Sequence, residues 1–251
     1  MDALSVIPGA ERFATLGFPL QLRPERVAAS RRYAELHYNS ALRPGQGVEE
    51  IAAHLGRLDR GGRWLDLGAG PTTLFWSLCF ERVESIVAND ISPEALAVLA
   101  EFATGDDQPR CYAEVGRLLG RGESALEERR QLLRELLVFD AFAPWPDALA
   151  GREFDQITSL GAFGLAPDPG TYAGAFRHIA DHLCAGGVAL GANWVRSPSL
   201  ARRTGRGNAW LDVRTVQAGA IAGGLELLFA EHVPIAADPD YSHVIVWGMR
   251  R

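Results

Sequence analysis

Cysteine is scarce in this chain: three residues in 251, at positions 79, 111 and 184. The number is odd and no two stand as C-x-x-C, so neither a disulfide framework nor a zinc site is suggested, and no metal is expected. A reducing, cytoplasmic setting fits that usage. Long hydrophobic runs are missing as well. No stretch approaches the roughly 20 apolar residues needed to span a bilayer, and Pro8, Glu11 and Arg12 interrupt any secretory leader. An excess of positive charge is also absent: 25 basic against 31 acidic residues leave a net charge of −6, which argues against a nucleic-acid surface. The one basic cluster, Arg196 with Arg202, Arg203 and Arg206, reads as a solvated loop or as a contact for an anionic group. No internal repeat, Ser-His-Asp order or paired-acid arrangement stands out, so hydrolase chemistry has little support.

What is present is enough apolar residue, 47% of the chain, for one large α/β domain. The first 60 residues read as a helical cap, with helices expected over 24–40 and 48–58 and a Pro44-Gly45 break between them. Residues 61–251 then form the main domain. From Arg63 onward short apolar runs (63–67, 85–89, 136–139, 154–160 and 187–191) alternate with helical stretches (72–80, 93–102, 123–134 and 171–183). Such βα alternation predicts a Rossmann-like, doubly wound parallel sheet with helices on both faces. The last 40 or so residues break the rhythm. Strands over 225–233 and 243–249, joined by a turn at 237–240, must pair antiparallel, which a plain dinucleotide-binding domain lacks.

The sharpest local signal is Leu65-Asp66-Leu67-Gly68-Ala69-Gly70-Pro71-Thr72. Glycines there permit a tight turn and close approach of a ligand, Pro71 suits a first helical turn, and a helix N-terminus offers free N–H groups. Gly-x-Gly turns also close structural βα units. Thr73 stands where a dinucleotide fingerprint has its third glycine, and Asp66 would repel a pyrophosphate but suit a cationic amine. Twenty residues beyond Gly70, Asp90 ends the second run, where an acid can accept both ribose hydroxyls of a nucleoside. Ser92 before Pro93 is the better helix cap, which leaves Asp90 free for that task.

On these residues the chain resembles class I S-adenosylmethionine-dependent methyltransferases, most of all the nicotinamide, phenylethanolamine and thioether or indolethylamine methyltransferases. Tyr33 and Tyr38 resemble the tyrosine pair that lids the cofactor in that family, and Asp140-Ala141 the third-strand end that meets the adenine. The stretch from Leu160 to Gly187, with Pro167, Tyr172 and Gly186, resembles its fourth strand, following helix and entry to strand five. The resemblance implies a seven-stranded sheet of the methyltransferase type, with S-adenosylmethionine as cofactor and S-adenosylhomocysteine as product. It implies a cofactor site of Tyr33, Tyr38, Asp66, Gly68, Ala69, Gly70, Thr72, Asp90, Ile91, Asp140 and Ala141. Asp66 would hold the methionine amine, Tyr38 the carboxylate, Asp90 the ribose and Asp140 the adenine amino group.

Methyl transfer from a sulfonium is an in-line displacement, so alignment is the protein's main task, worth ~7–11 kcal/mol in a well-formed site. Tyr33, His37 and Asn193 are the candidate catalytic residues, with His243 second to His37 as a base. Two departures from the family pattern bear on the acceptor. Ala95 replaces an amide near the ribose, and Asn193 stands where several amine-methylating relatives have an aspartate. Losing that carboxylate points to a neutral aromatic acceptor, with Trp194 or Trp210 as its stacking face. The expected partner is a small-molecule amine or electron-rich ring such as indole, in secondary metabolism, with the chain a monomer or homodimer. An NAD-dependent oxidoreductase and a non-catalytic S-adenosylmethionine-binding protein are the alternatives.

Overall fold

The computed structural model describes residues 12–17, 21–236 and 238–251. Pro8 and Glu11 of the leader reading, and residue 237 of the final turn, lie outside the described residues. Among those described, no helix is long and apolar enough to cross a membrane.

Eight strands form one sheet: β1 (Ala14–Leu16), β2 (Gly62–Leu67), β3 (Val83–Asp90), β4 (Leu133–Val138), β5 (Phe154–Leu160), β6 (Leu183–Arg196), β7 (Glu226–Pro234) and β8 (Tyr241–Arg250). Their order is β1-β4-β3-β2-β5-β6-β8-β7. The chain enters at β2, steps outward through β3 to β4, then returns to lay β5 on the other side of β2. Strands β1 to β6 pair parallel; β8 pairs antiparallel with both β6 and β7. This is the expected Rossmann-like sheet with its C-terminal antiparallel hairpin. The reversal between β2 and β5 makes a crevice at the carboxyl ends of the strands, where ligands of open α/β sheets bind.

The two-residue period of a strand sorts the core into two layers. In β2, Trp64 faces the layer with Phe75, Phe80 and Leu96, while Leu65 and Leu67 face Phe163, Tyr172, Phe176 and Trp247. Helices α3 (Thr73–Ser77), α4 (Pro93–Thr104), α5 (Arg110–Leu118) and α6 (Ala125–Leu132) accompany the first layer. The second is covered by α7 (Pro169–His182) and α9 (Val213–Gly223), with α8 (Pro198–Thr204) preceding α9.

The cap helices form as expected, α1 over Pro24–Tyr38 and α2 over Val48–Arg57. Helix α2 buries Ile51, Ala52 and Leu55, whereas α1 buries none of its residues. It is held on α4 by Arg23–Glu94 and Arg31–Glu101 ion pairs, at 3.1 and 2.6 Å, and by the Tyr38 ring set edge-on to Phe75 at 5.1 Å. Four elements were not expected. Strand β1 joins the sheet edge beside β4 through only three residues, too few to display a two-residue period. Helices α5, α8 and α9 lie outside the helical stretches expected from the sequence. Yet α8 and α9 carry sequence-visible caps: Ser197 and Asp212 accept the N–H groups of Leu200 and Thr215 at 3.2 and 2.8 Å. Helix α3 is short, ending at Ser77 rather than 80, and β4 begins at Leu133, where its buried side chain closes the layer.

Close approach at one glycine locks the hairpin to the sheet. A Cβ on Gly191 would lie 2.1 Å from Cζ2 of the buried Trp247 indole. Replacing Gly191 by Ala is expected to lower unfolding free energy by about 1–3 kcal/mol, read as a fall in the urea midpoint. An unchanged midpoint would contradict this packing.

Candidate functional site

A cavity of about 730 Å³ opens at the switch point, in the size range of small-molecule sites. Its floor is the turn after β2. Gly68 and Gly70 adopt φ of +65° and +53°, the left-handed region that favours glycine, and no atom lies within 4 Å of where a Gly70 Cβ would sit. The turn is internally satisfied. Ala69 N–H donates to the Asn89 carbonyl at 2.8 Å, Thr72 N–H to the Ala69 carbonyl at 3.1 Å, and Gly70 N–H to Asp90 Oδ2 at 2.8 Å. The amides of Ala69, Gly70 and Thr72 are thus engaged within the turn itself, and the helix that follows, α3, has only five residues.

Asp90 does more than the sequence implies. Besides Gly70, its carboxylate accepts the Ser92 N–H at 2.7 Å, so it ties the turn after β2 to the turn after β3. It is not free of structural duty, although Ser92 does cap α4 by accepting the Ala95 N–H at 3.3 Å. Burial pushes the Asp90 pKa up, against the pull of the N–H groups it accepts. Asn89 is buried on the same wall. Its Nδ2 donates to the carbonyls of Leu137 and Phe139, while its Oδ1 has no partner among the described residues. At the end of β4, Asp140 accepts the Phe142 N–H at 2.9 Å through Oδ1.

Helix α1 forms the opposite wall. The Tyr33 ring lies 4.8 Å from His37 and 6.1 Å from Tyr38. Burial raises the Tyr38 pKa well above its ordinary value, with the Tyr33 and Tyr112 hydroxyls adding to it, while Thr72 pulls the other way. For His37 the shift is downward, because burial and then Arg43 disfavour its charged form and Asp238 only partly offsets them. The ring is neutral near pH 7 and able to accept a proton.

Eleven of the residues singled out from sequence line this one cavity: Tyr33, His37, Tyr38, Gly68, Ala69, Gly70, Thr72, Asp90, Ile91, Asp140 and Ala141. Two do not reach it. Asp66 lies on the Trp64 face of β2, 2% exposed, where its oxygens accept the Thr158 and Thr73 hydroxyls at 2.6 and 2.8 Å; it braces the turn from behind. Asn193 points to the opposite layer from Trp194, as strand alternation requires, and its Oδ1 accepts Tyr172 OH at 3.2 Å and Trp247 Nε1 at 3.0 Å. It orients no acceptor from there, so the inference of a neutral acceptor drawn from position 193 loses its basis.

Two further expectations change. Trp194 lines the cavity, but Trp210 packs against Tyr172 at 5.7 Å in the second layer. His243 stacks on His232 at 3.8 Å in the hairpin, away from the cavity wall, and its neighbour Tyr241 lines the cavity instead. Sequence reasoning missed Arg43, Asp238 and Tyr241, and left Arg196 in a loop; all four line the cavity, and Arg196 ends β6. They come from turns and strand ends with no motif of their own.

The environment of Asp66 carries a stability consequence. Burial raises its pKa from 3.8 to about 6, against the two threonine hydroxyls. A carboxyl whose folded pKa is raised binds its proton more tightly in the folded state. Stability is thus gained as pH falls through about 6 and lost as it rises, by on the order of 2–3 kcal/mol. Asp66→Asn is expected to be more stable than wild type at about pH 8, with the gap closing toward about pH 4. Urea unfolding across that range is the measurement, and a pH-independent gap contradicts it.

No protein-family model matches the chain, and no curated protein matches it by sequence. Solved structures do resemble it. The Haemonchus contortus phosphoethanolamine N-methyltransferase 2 in complex with S-adenosyl-L-methionine superposes with a TM-score of 0.58 at 16% identity, over 90% of this chain and 57% of that one. The chain therefore spans little more than half of the nematode enzyme. The N-methyltransferase NodS from Bradyrhizobium japonicum gives a TM-score of 0.54 at 13% identity, over 84% of this chain and 99% of that one. Its complex with S-adenosyl-L-homocysteine gives 0.52 at 15%. At such identities the likeness is one of fold: this chain has the Rossmann-like fold of class I S-adenosylmethionine-dependent methyltransferases.

Proposed function

We propose that this chain is an S-adenosylmethionine-dependent methyltransferase acting on a small molecule, at an amine or an electron-rich ring, as the motif resemblance to the nicotinamide and indolethylamine enzymes implies. One observation carries the reading. A single cavity at the switch point gathers the glycine turn, the acid ending β3, the Asp140-Ala141 corner and the two tyrosines of α1 from four separate stretches of chain. The fold likeness to structures holding the methylated and demethylated cofactor supports it.

The residues fit the cofactor. Gly70 leaves open space beside the backbone, and Asn89 Oδ1 is a buried acceptor lacking a partner among the described residues. Asp140 has an oxygen beyond the one that accepts Phe142 N–H. When bound, the cofactor would supply an electrophilic methyl group. Asp90 would accept from the ribose hydroxyls, the Asp140 corner would meet the adenine, and the Tyr38 hydroxyl would serve the carboxylate. Asp66 takes no direct part; by holding Thr73 and Thr158 it keeps the turn in place. Helix α1 covers the cavity through Tyr33 and Tyr38 and excludes water. His37, neutral at pH 7, takes the proton of an amine acceptor.

S-adenosylhomocysteine is expected to raise the melting temperature while NAD does not, and Asp90→Ala to weaken its binding about 10–100-fold through loss of charge-assisted hydrogen bonds. A shift with NAD alone would instead support an oxidoreductase. Incubation with methyl-labelled cofactor and a panel of amines and indoles, followed by mass spectrometry, tests the reaction. Cofactor binding with no methylated product would leave a binding protein. With an amine acceptor, His37→Gln is expected to lower kcat about 100-fold and to remove one of the ionisations on the acid side of the profile, the acceptor's own protonation remaining; an unchanged pH profile removes His37 from the reaction.

A further inference from the structure

The end of the cavity remote from the glycine turn carries uncommitted positive charge. The chain contains no lysine, so every basic side chain there is a guanidinium. Two of them, Arg43 and Arg196, line the cavity, and among the described residues neither is ion-paired. The contrast with the adjacent helix is direct: Arg203 of α8 meets Asp240 at 2.7 Å.

Arg196 is held from behind. Its backbone N–H donates to Oδ1 of the buried Asn208 at 2.8 Å, and Asn208 Nδ2 donates to the carbonyls of Trp194 and Gly164 at 2.9 and 3.1 Å. The guanidinium itself reaches only the Arg206 carbonyl, at 3.4 Å. Arg43 arrives from the loop before α2. Ala236 N–H donates to the Gly45 carbonyl at 3.0 Å and Gln46 Nε2 to the Ala236 carbonyl at 3.1 Å, which fastens that loop to one end of the β7–β8 connection. Arg196 stands opposite Tyr241 in the sheet, at the other end of the same connection. Both residues thus reach the cavity lining from chain attached to the β7–β8 connection, one at each end of it. Their fields register on the neighbouring groups, Arg43 lowering the pKa of His37 and Arg196 opposing the rise of Tyr241.

One carboxylate, Asp238, shares this end of the cavity. Its Oδ1 accepts the N–H groups of Asp240 and Tyr241 at 2.7 and 3.0 Å, so it shapes the turn, and two guanidiniums still outnumber it. Beside the charges lies apolar surface. Leu36 and Leu165, 62% and 63% exposed, line the cavity together with Trp194. Large exposed apolar side chains at a pocket mark a surface that a ligand covers.

We propose that Arg43 and Arg196 clamp an anionic group, a carboxylate or a phosphate monoester, on the methyl acceptor, whose apolar body lies against Trp194, Leu36 and Leu165. The inference rests on the cavity being the methyl-transfer site. Planar guanidiniums match both oxyanions through paired N–H donors, and two like charges left facing one cavity repel until an anion lies between them.

The test uses the full chain saturated with S-adenosylhomocysteine. NMR titration compares 3-phenylpropionate and phenyl phosphate with the neutral 3-phenylpropionamide and the cationic phenethylamine. An anion is expected to bind about tenfold more tightly than the amide, less so as salt rises, and the tighter of the two anions identifies the oxyanion. Arg43→Gln and Arg196→Gln should each remove about tenfold of that affinity while keeping the melting shift with S-adenosylhomocysteine, and Arg202→Gln on α8 should change neither. Amide or amine binding as tight as the anions, or anion affinity unchanged in both variants, overturns the inference alone, since the melting shift is retained. Absence of that shift in the wild type overturns the methyltransferase reading and the inference with it.

Discussion

One carboxylate holds the working edge of this fold together. Asp90 accepts the Gly70 N–H with one oxygen and the Ser92 N–H with the other, so the turns leaving two neighbouring parallel strands are tied to each other at the switch point. A turn with left-handed glycines is inexpensive to deform, and that tie, with the Ala69 N–H to Asn89 carbonyl bond at 2.8 Å beside it, sets its distance from the next turn. The glycine floor and the acid at the end of β3 are one unit.

Behind that unit a second carboxylate acts on the same turn. The Trp64 indole donates to Thr158, Thr158 to Asp66, and Thr73 to the other Asp66 oxygen, all in the layer under α3. Burying a carboxylate there raises its pKa and costs stability at neutral pH, which the fold offsets by fixing α3 to the sheet. The opposite layer repeats the device in neutral form, with Asn193 joining Tyr172 and Trp247. Polar groups inside each layer thus set where the helices sit, and the cavity is what remains between the turns and α1.

Helix α1 is of a different character from the rest. It buries no residue of its own and rests on α4 through ion pairs and on α3 through one aromatic contact. Such ion pairs are individually weak, unlike the buried apolar face by which α2 is held. Helix α1 is also the wall that carries Tyr33, Tyr38 and His37 into the cavity lining.

Much of this was legible in the sequence because its physics is local. The alternation of runs from Arg63 onward, the glycine turn at 68–70 and the closing hairpin follow from side-chain period and backbone freedom, and each formed in the expected order, with the ends of α3 and β4 displaced. Asp90 could be found from its place at the end of the second run, and the Tyr33–Tyr38 pair through the family resemblance. Which side of a strand a residue takes was not legible at Asp66 or Asn193. Only the pairing of β2 with β5 and of β6 with β8 decided that both carry their polar groups inward. Strand β1 and the arrival of Arg43, Arg196 and Tyr241 at one cavity depend on contacts between segments far apart in the chain. Residue type and spacing fix local conformation, but the meeting of distant loops is set by the sheet order, which only the folded whole determines.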